Sequence, residues 1–342
     1  MRRREALQTR EVARSAESAE FTDLSAVDVD SRGRVYVGDW YQQRVTVLSP
    51  GGAVLRTIGR RGEGPGEFRS IRGVQLLSGD SLLVYDPELG RVSVFAPEAA
   101  APAYIVNVGA RMAGAAPFQL WRVPGHPAYV ALFRGRFAFN GSDNFRDRRD
   151  SLLVLAPDGT VRARIGVFPS KSFLVAHNSI TPNPFGREVL VQGAPGRRAY
   201  VVWNDSARVT GYDLTGRRVG GFAFDPQPAR VTPADVQAEL AAMDDMSRST
   251  FARVLNDSTP ERWPAVRDLL ADEAGRLWIG LGGPPSGEVE WAVFTPEGRY
   301  LRSVFTAPGT RLRAVRGQTL YVERRSDDGV PHLAIFTTSP TL

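Results

Sequence analysis

The feature that most constrains the fold is a six-fold recurrence of one strand pattern across the 342 residues. The clearest copy reads Val45-Thr46-Val47-Leu48-Ser49-Pro50, and related segments return at 92–97, 152–157, 209–214, 291–296 and 333–338. Each lies among short β-rich runs bounded by turns such as Asp30-Ser31-Arg32-Gly33-Arg34. Runs of β-branched and aromatic residues punctuated by Gly, Pro and Asp favour strands. Self-similarity at this period signals units that bury their faces against one another.

The repeat can be laid out blade by blade. Strands are expected at 24–30, 34–38, 44–48 and 53–58, then at 71–77, 81–85, 91–95 and 103–108. The third set is 118–123, 128–133, 151–155 and 160–165, and the fourth 188–192, 199–203, 208–212 and 217–222. The fifth is 266–271, 276–280, 290–294 and 300–305. The C-terminal stretch supplies only three strands, at 311–315, 319–323 and 332–337. The missing one is available at 7–13, and an N-terminal strand that completes the last blade removes an open sheet edge. The expected fold is therefore all-β: one six-bladed β-propeller domain over 1–342.

One segment departs from the pattern. Thr232-Pro233-Ala234-Asp235 combines an N-cap, a proline at the first helical position and an acid three residues after the cap. Val236, Leu240 and Met243 follow at helical spacing, and Phe251, Val254 and Leu255 suggest a second helix. Residues 225–263 thus read as a helical insertion between blades four and five.

Two stretches carry a resemblance. Gly62-Glu63-Gly64-Pro65-Gly66-Glu67-Phe68 resembles the inter-blade signature of NHL-repeat propellers. Asp39-Trp40-Tyr41-Gln42-Gln43-Arg44-Val45 is similar to that family's Asp-x-x-Asn-x-Arg-Val stretch, with Gln42 in place of Asn, and 86–92 is a second copy with Leu89 there. The helical insertion, followed by Trp263-Pro264-Ala265-Val266-Arg267-Asp268 and by 272–278, resembles bacterial six-bladed propellers of unknown function. The resemblance implies the propeller fold; NHL-type propellers include scaffolds, RNA binders and enzymes.

Connection lengths then separate two faces. Turns between first and second strands, and between third and fourth, are short throughout: Ser31-Arg32-Gly33, Ser78-Gly79-Asp80 and Pro157-Asp158-Gly159 are examples. The connections on the other face include 134–150, 168–187, 225–263, 281–289 and 324–331. Long loops on a rigid ring are where function concentrates.

Superposing the inner strands places Ser25, Arg72, Phe118, Val189, Arg267 and, roughly, Thr310 at the long-loop end of the central channel. Two guanidiniums there need acceptors, and these are either Asp268 and Glu67 or a bound anion. His177, beside Asn178 in a long loop, is the histidine best placed to join them. The ligand-binding set is Arg72, Arg267, Asp268, Ser25 and His177.

Other chemistries are weaker. With only His126, His177 and His332 and no Cys, no metal site is expected. The 62–68 segment lacks the Gly-Lys-Ser/Thr ending of a phosphate loop, and Asp30 and Asp272 match as turn residues, not calcium ligands. Net charge is +6, but 37 acids are interspersed. Basic clusters at Arg60-Arg61, Arg146, Arg148-Arg149, Arg197-Arg198 and Arg324-Arg325 are broken by aspartates, which disfavours nucleic acid. Lys171 is the sole lysine, a bias expected of a GC-rich genome. Met1-Arg2-Arg3-Arg4 resembles the start of an export signal without the apolar stretch, leaving the compartment open between cytoplasm and export. No run is long enough to span a membrane.

The expectation is a monomeric, non-catalytic recognition platform that needs no cofactor. It binds a peptide, a protein or a small anionic ligand on the long-loop face. The alternative is a lactonase-like or lyase-like enzyme acting at the channel mouth.

Overall fold

A computed structural model describes residues 6–7, 9–16, 19–135, 148–176, 179–196, 198–326 and 328–338. The first two strands, β1 (Ala6–Leu7) and β2 (Thr9–Arg14), serve the last two sheets. Blade one is β3 (Ala26–Val29), β4 (Val35–Asp39), β5 (Arg44–Leu48) and β6 (Val54–Ile58). Blade two is β7 (Gly73–Leu76), β8 (Leu82–Asp86), β9 (Arg91–Phe95) and β10 (Tyr104–Asn107). Blade three is β11 (Gln119–Arg122), β12 (Tyr129–Phe133), β13 (Arg149–Leu155) and β14 (Val161–Pro169), followed by a hairpin, β15 (Phe173–Ala176) and β16 (Ser179–Pro182).

Blade four is β17 (Val189–Ala194), β18 (Arg198–Trp203), β19 (Arg208–Asp213) and β20 (Arg218–Ala223). Helices α1 (Pro233–Ala241) and α2 (Asp245–Ser258) intervene. Blade five is β21 (Val266–Ala271), β22 (Leu277–Leu281), β23 (Val289–Phe294) and β24 (Tyr300–Thr306), and β25 (Arg311–Arg316), β26 (Thr319–Arg325) and β27 (Pro331–Thr338) begin blade six. Each blade is an antiparallel meander. β2 pairs antiparallel with β27 and supplies the fourth strand of blade six, while β1 adds in parallel to the outer edge of β24.

The six sheets stand in a ring because each has two apolar faces. Tyr36, Val45 and Val47 of blade one meet Val74, Leu82, Val84 and Phe95 of blade two. Clusters of the same kind join each later pair, and Val29, Val35 and Val37 meet Tyr321, Leu333 and Ile335 to close blade six on blade one. Closure by packing and by the exchanged strand leaves little exposed sheet edge.

Local chemistry sets the turns. The Asp30 carboxylate accepts from the Arg32 and Arg34 amides at 2.9 and 2.8 Å, and from Arg34 Nε at 2.6 Å. Asp272 repeats this with Ala274, Arg276 and Arg276 Nε at 3.1, 2.9 and 2.6 Å, so both are turn formers. Gly33 and Gly275 each take φ of +78° in these turns, a conformation that costs other residues. The 62–68 segment is likewise structural: the Arg91 guanidinium donates to the carbonyls of Glu63, Gly64 and Glu67.

The helical insertion forms as the capping pattern requires. Thr232 Oγ1 accepts from the Asp235 amide at 3.2 Å, and the Asp235 carboxylate accepts from the Thr232 amide at 2.8 Å. Val236 and Leu240 of α1, with Phe251 and Leu255 of α2, bury against Leu174 and Ala176 of the β15–β16 hairpin and against Phe185 and Trp263. The two largest described insertions therefore pack on each other, and Met243 lies at the edge of that cluster.

Candidate functional site

The ring encloses a channel of ≈ 910 Å³. Its long-loop mouth is bordered by Asp23, Trp40, Arg72, Phe118, Arg134, Lys171, Glu188, Arg267, Asp268, Arg311 and Arg313. Strand ends and bulges present these groups. Arg72 and Phe118 immediately precede β7 and β11, at the same step of their blades as Ser25 before β3: their amides donate to Tyr85, Leu132 and Gly38.

Arg267 arrives differently. Val266 pairs with Leu281 and Asp268 with Gly280, so Arg267 is the extra residue of a β-bulge. Arg313 is its counterpart in blade six, between Leu312 paired to Val322 and Ala314 paired to Tyr321. Bulges re-aim side chains, and here both deliver an arginine to the channel. A side chain at Gly280 would place its Cβ 3.2 Å from Arg267 Cγ, so this glycine leaves room for the arginine's stem.

Most charges at the mouth are paired. Arg313 Nε donates to Glu323 at 2.7 Å, with both side chains largely buried. Arg311 meets Asp268 at 3.2 Å. Arg134 meets Asp150 at 2.8 Å and Glu188 at 3.3 Å, and Lys171 lies 3.4 Å from Glu188. Arg72 and Arg267 stand apart: among the described residues neither guanidinium has a hydrogen-bonded or ion-paired acceptor. Arg72 instead lies over the rings of Trp40 and Phe118, at 5.2 and 4.8 Å from their centroids. Arg134 covers Phe118 as well, at 4.8 Å, so one ring serves two cations.

Burial lowers the basicity of both Arg72 and Arg267 from the ordinary guanidinium value; Asp23 acts against this for Arg72 and Asp268 for Arg267. Arginine stays charged nonetheless. Burial raises Asp23 above the usual carboxylate range, opposed by Arg313 and reinforced by Glu323 and Asp39. Deeper in the channel, burial raises Asp28 to about 6, although the Leu76 and Val29 amides hydrogen-bond to it.

The positions expected from sequence hold in part. Ser25, Arg72, Phe118 and Arg267 border the channel. Ser25, however, is engaged with its own blade, its hydroxyl donating to the Gly38 carbonyl at 2.7 Å. Val189 borders the channel too but is buried, and the preceding Glu188 is the charged residue that blade four presents. Thr310 is buried and bonded to Thr306 and Ala307, leaving Arg311 and Arg313 to represent blade six. The acceptors expected for the two arginines are committed elsewhere, Asp268 to Arg311 and Glu67 to Arg60 at 2.8 Å. His177 lies outside the described residues, as do Arg146 and Arg197 of the basic clusters. Among the described residues, no three His, Asp or Glu side chains converge as metal ligands.

Sequence reasoning missed Trp40, Arg134, Lys171, Arg311 and Arg313. A signal existed for the last two. The alternation Arg311-Leu312-Arg313 in an inner strand places charge where an all-apolar run is otherwise expected.

A family model described as a 6-bladed beta-propeller matches residues 14–96, which span blade one and most of blade two. The chain is a six-bladed β-propeller. The NHL type remains a resemblance of motifs. Among solved structures, a member of the duf4221 family from Bacteroides vulgatus aligns over 98% of this chain and 99% of its own, with a TM-score of 0.60 at 8% identity. A candidate exported protein from Bacteroides fragilis aligns over 97% and 95%, with a TM-score of 0.53 at 9% identity. A luciferin-regenerating enzyme aligns over 98% and 96%, with a TM-score of 0.50 at 14% identity. At such identities the propeller shares their fold alone. No curated protein matches it in sequence. No helix among the described residues is long and apolar enough to cross a membrane.

Proposed function

We propose that the propeller is a recognition module, acting as a monomer, that binds a small anionic ligand, or an anionic group of a peptide or protein, at the long-loop mouth. The observation that carries this reading is the pair of uncommitted guanidiniums, Arg72 and Arg267, at a mouth where the other cations have carboxylate partners. A half-buried guanidinium without an acceptor gains more from an incoming anion than one already paired. Asp268 shapes the site by holding Arg311 and leaving Arg267 open. Ser25 contributes rigidity through its bond to Gly38. Asp268 and Glu188 are engaged in ion pairs, so neither faces a substrate as a free general base.

The test is calorimetric titration at low salt with citrate, phosphate and an acidic peptide. At least one should bind, with affinity falling as salt rises. Arg72→Gln combined with Arg267→Gln should weaken that binding at least about tenfold, since each charge-assisted contact contributes ~1.5–3 kcal/mol. Affinity indifferent to the double substitution refutes the reading.

A further inference from the structure

The same mouth specifies the shape of its ligand, if the anion-binding reading holds. We infer that the ligand is two-headed, an elongated molecule with an anionic group at each end, one received by Arg72 and the other by Arg267. Arg72 belongs to blade two and Arg267 to blade five. In a ring of six these blades are three steps apart in either direction, so the two guanidiniums sit on opposite walls.

Each is also held to its own wall. Arg72 lies over Trp40 and Phe118, at 5.2 and 4.8 Å. The stem of Arg267 fills the space that Gly280 leaves empty. In these positions each guanidinium meets an anion from its own wall, so a single carboxylate or phosphate bound by one arginine leaves the other open. The intervening cations do not offer a third point, because Arg134, Arg311 and Arg313 are paired with Asp150, Asp268 and Glu323. A channel of ≈ 910 Å³ has room for a spacer between two heads.

Two charged heads on one spacer make the second contact intramolecular, which raises affinity well beyond that of either head alone. The discriminating experiment titrates the intact protein with linear α,ω-dicarboxylates of increasing length, each against the monocarboxylate of the same length. A matching series of α,ω-bisphosphonates and monophosphonates reports on the head group. One length should bind at least about tenfold more tightly than its single-headed counterpart. Arg72→Gln or Arg267→Gln alone should reduce that compound to the level of the single-headed one, with the thermal unfolding temperature confirming that each variant is folded.

Equal affinity for one- and two-headed acids, lost when both arginines are replaced, overturns the two-headed ligand while leaving anion recognition intact. Failure of both series to bind, with or without the substitutions, overturns anion recognition and this inference together.

Discussion

The two walls of the channel mouth deliver the same cation by different means. On the blade-two side, Arg72 precedes a regular strand and rests on two aromatic rings. On the side of blades five and six, Arg267 and Arg313 are bulged residues within irregular inner strands, and Arg311 and Arg313 belong to a salt-bridged group. Aromatic support holds a guanidinium without neutralising it. A carboxylate holds it more firmly but uses up its charge. One wall therefore keeps charge available, and the other spends much of it on architecture.

The walls also differ in how the chain builds them. Blade two is continuous from β7 to β10, whereas blade six borrows β2 from the far end of the sequence. Removing residues 1–14 is the strongest test of that contrast. It should cost about 3–5 kcal/mol or drive association, because β27 loses both backbone partners and packing. Hydrogen exchange should accelerate across 311–338 and much less across 73–107. An unchanged melting temperature in a monomeric protein would falsify the closing role of β2.

Single substitutions sharpen the contrast further. Arg313→Gln leaves Glu323, itself only 9% exposed, without its strongest partner and should destabilise by about 3 kcal/mol in urea. Arg72→Gln orphans no carboxylate, and its cost should stay below about 1 kcal/mol. If the two losses are equal, the division between an architectural and an available cation is wrong. Phe118→Leu should then loosen Arg72 and Arg134, which share its ring, and leave Arg313 unaffected. A double-mutant cycle with Arg72→Gln should return a coupling of about 0.5–1 kcal/mol, the size of a partly exposed cation–π contact.

The smallest expected effect concerns pH. Asp23 acts on cations of both walls, Arg72 and Arg313, and burial raises its carboxyl. As pH falls through that raised value, Asp23 loses its negative charge and its repulsion of an incoming anion. Affinity for an alkyl disulfonate, whose own charge is constant, should rise by about twofold. The folded state should gain stability over the same interval, because a carboxyl raised by burial is costlier when ionised. Asp23→Asn should flatten both trends, and a persistent slope assigns them to another group.

Blade count, strand order, the closing N-terminal strand and the capped helix were legible in the sequence because each rests on local signals repeated at a fixed spacing. Arg72 was placed correctly because β7 and β8 are joined by a short turn and pair without a bulge. The position of Arg267 came out near the truth for an incomplete reason, since no periodicity argument reveals the bulge at that residue. Val189 borders the channel as expected, but the charge of blade four stands one residue earlier, at Glu188. The β15–β16 hairpin lies just upstream of β17, and no repeat fixes where an irregular insertion ends. Pairing was harder still to read. That Asp268 would choose Arg311 over its chain neighbour Arg267 depends on the distance between blades.

The strand exchange at blade six also sets an order in time. β2 leaves the ribosome before every strand of the first five blades, and its partner β27 leaves after all of them. Five blades can assemble while the nascent chain lengthens, but the early strand must wait for β27 to emerge before its backbone is paired. Until then the molecule is an open arc with two unsatisfied edges, the state in which a chain is most exposed to association with its neighbours. The alternation of Arg10, Glu11 and Arg14 along that waiting strand puts charge on it during the interval in which pairing with the wrong partner is the main hazard.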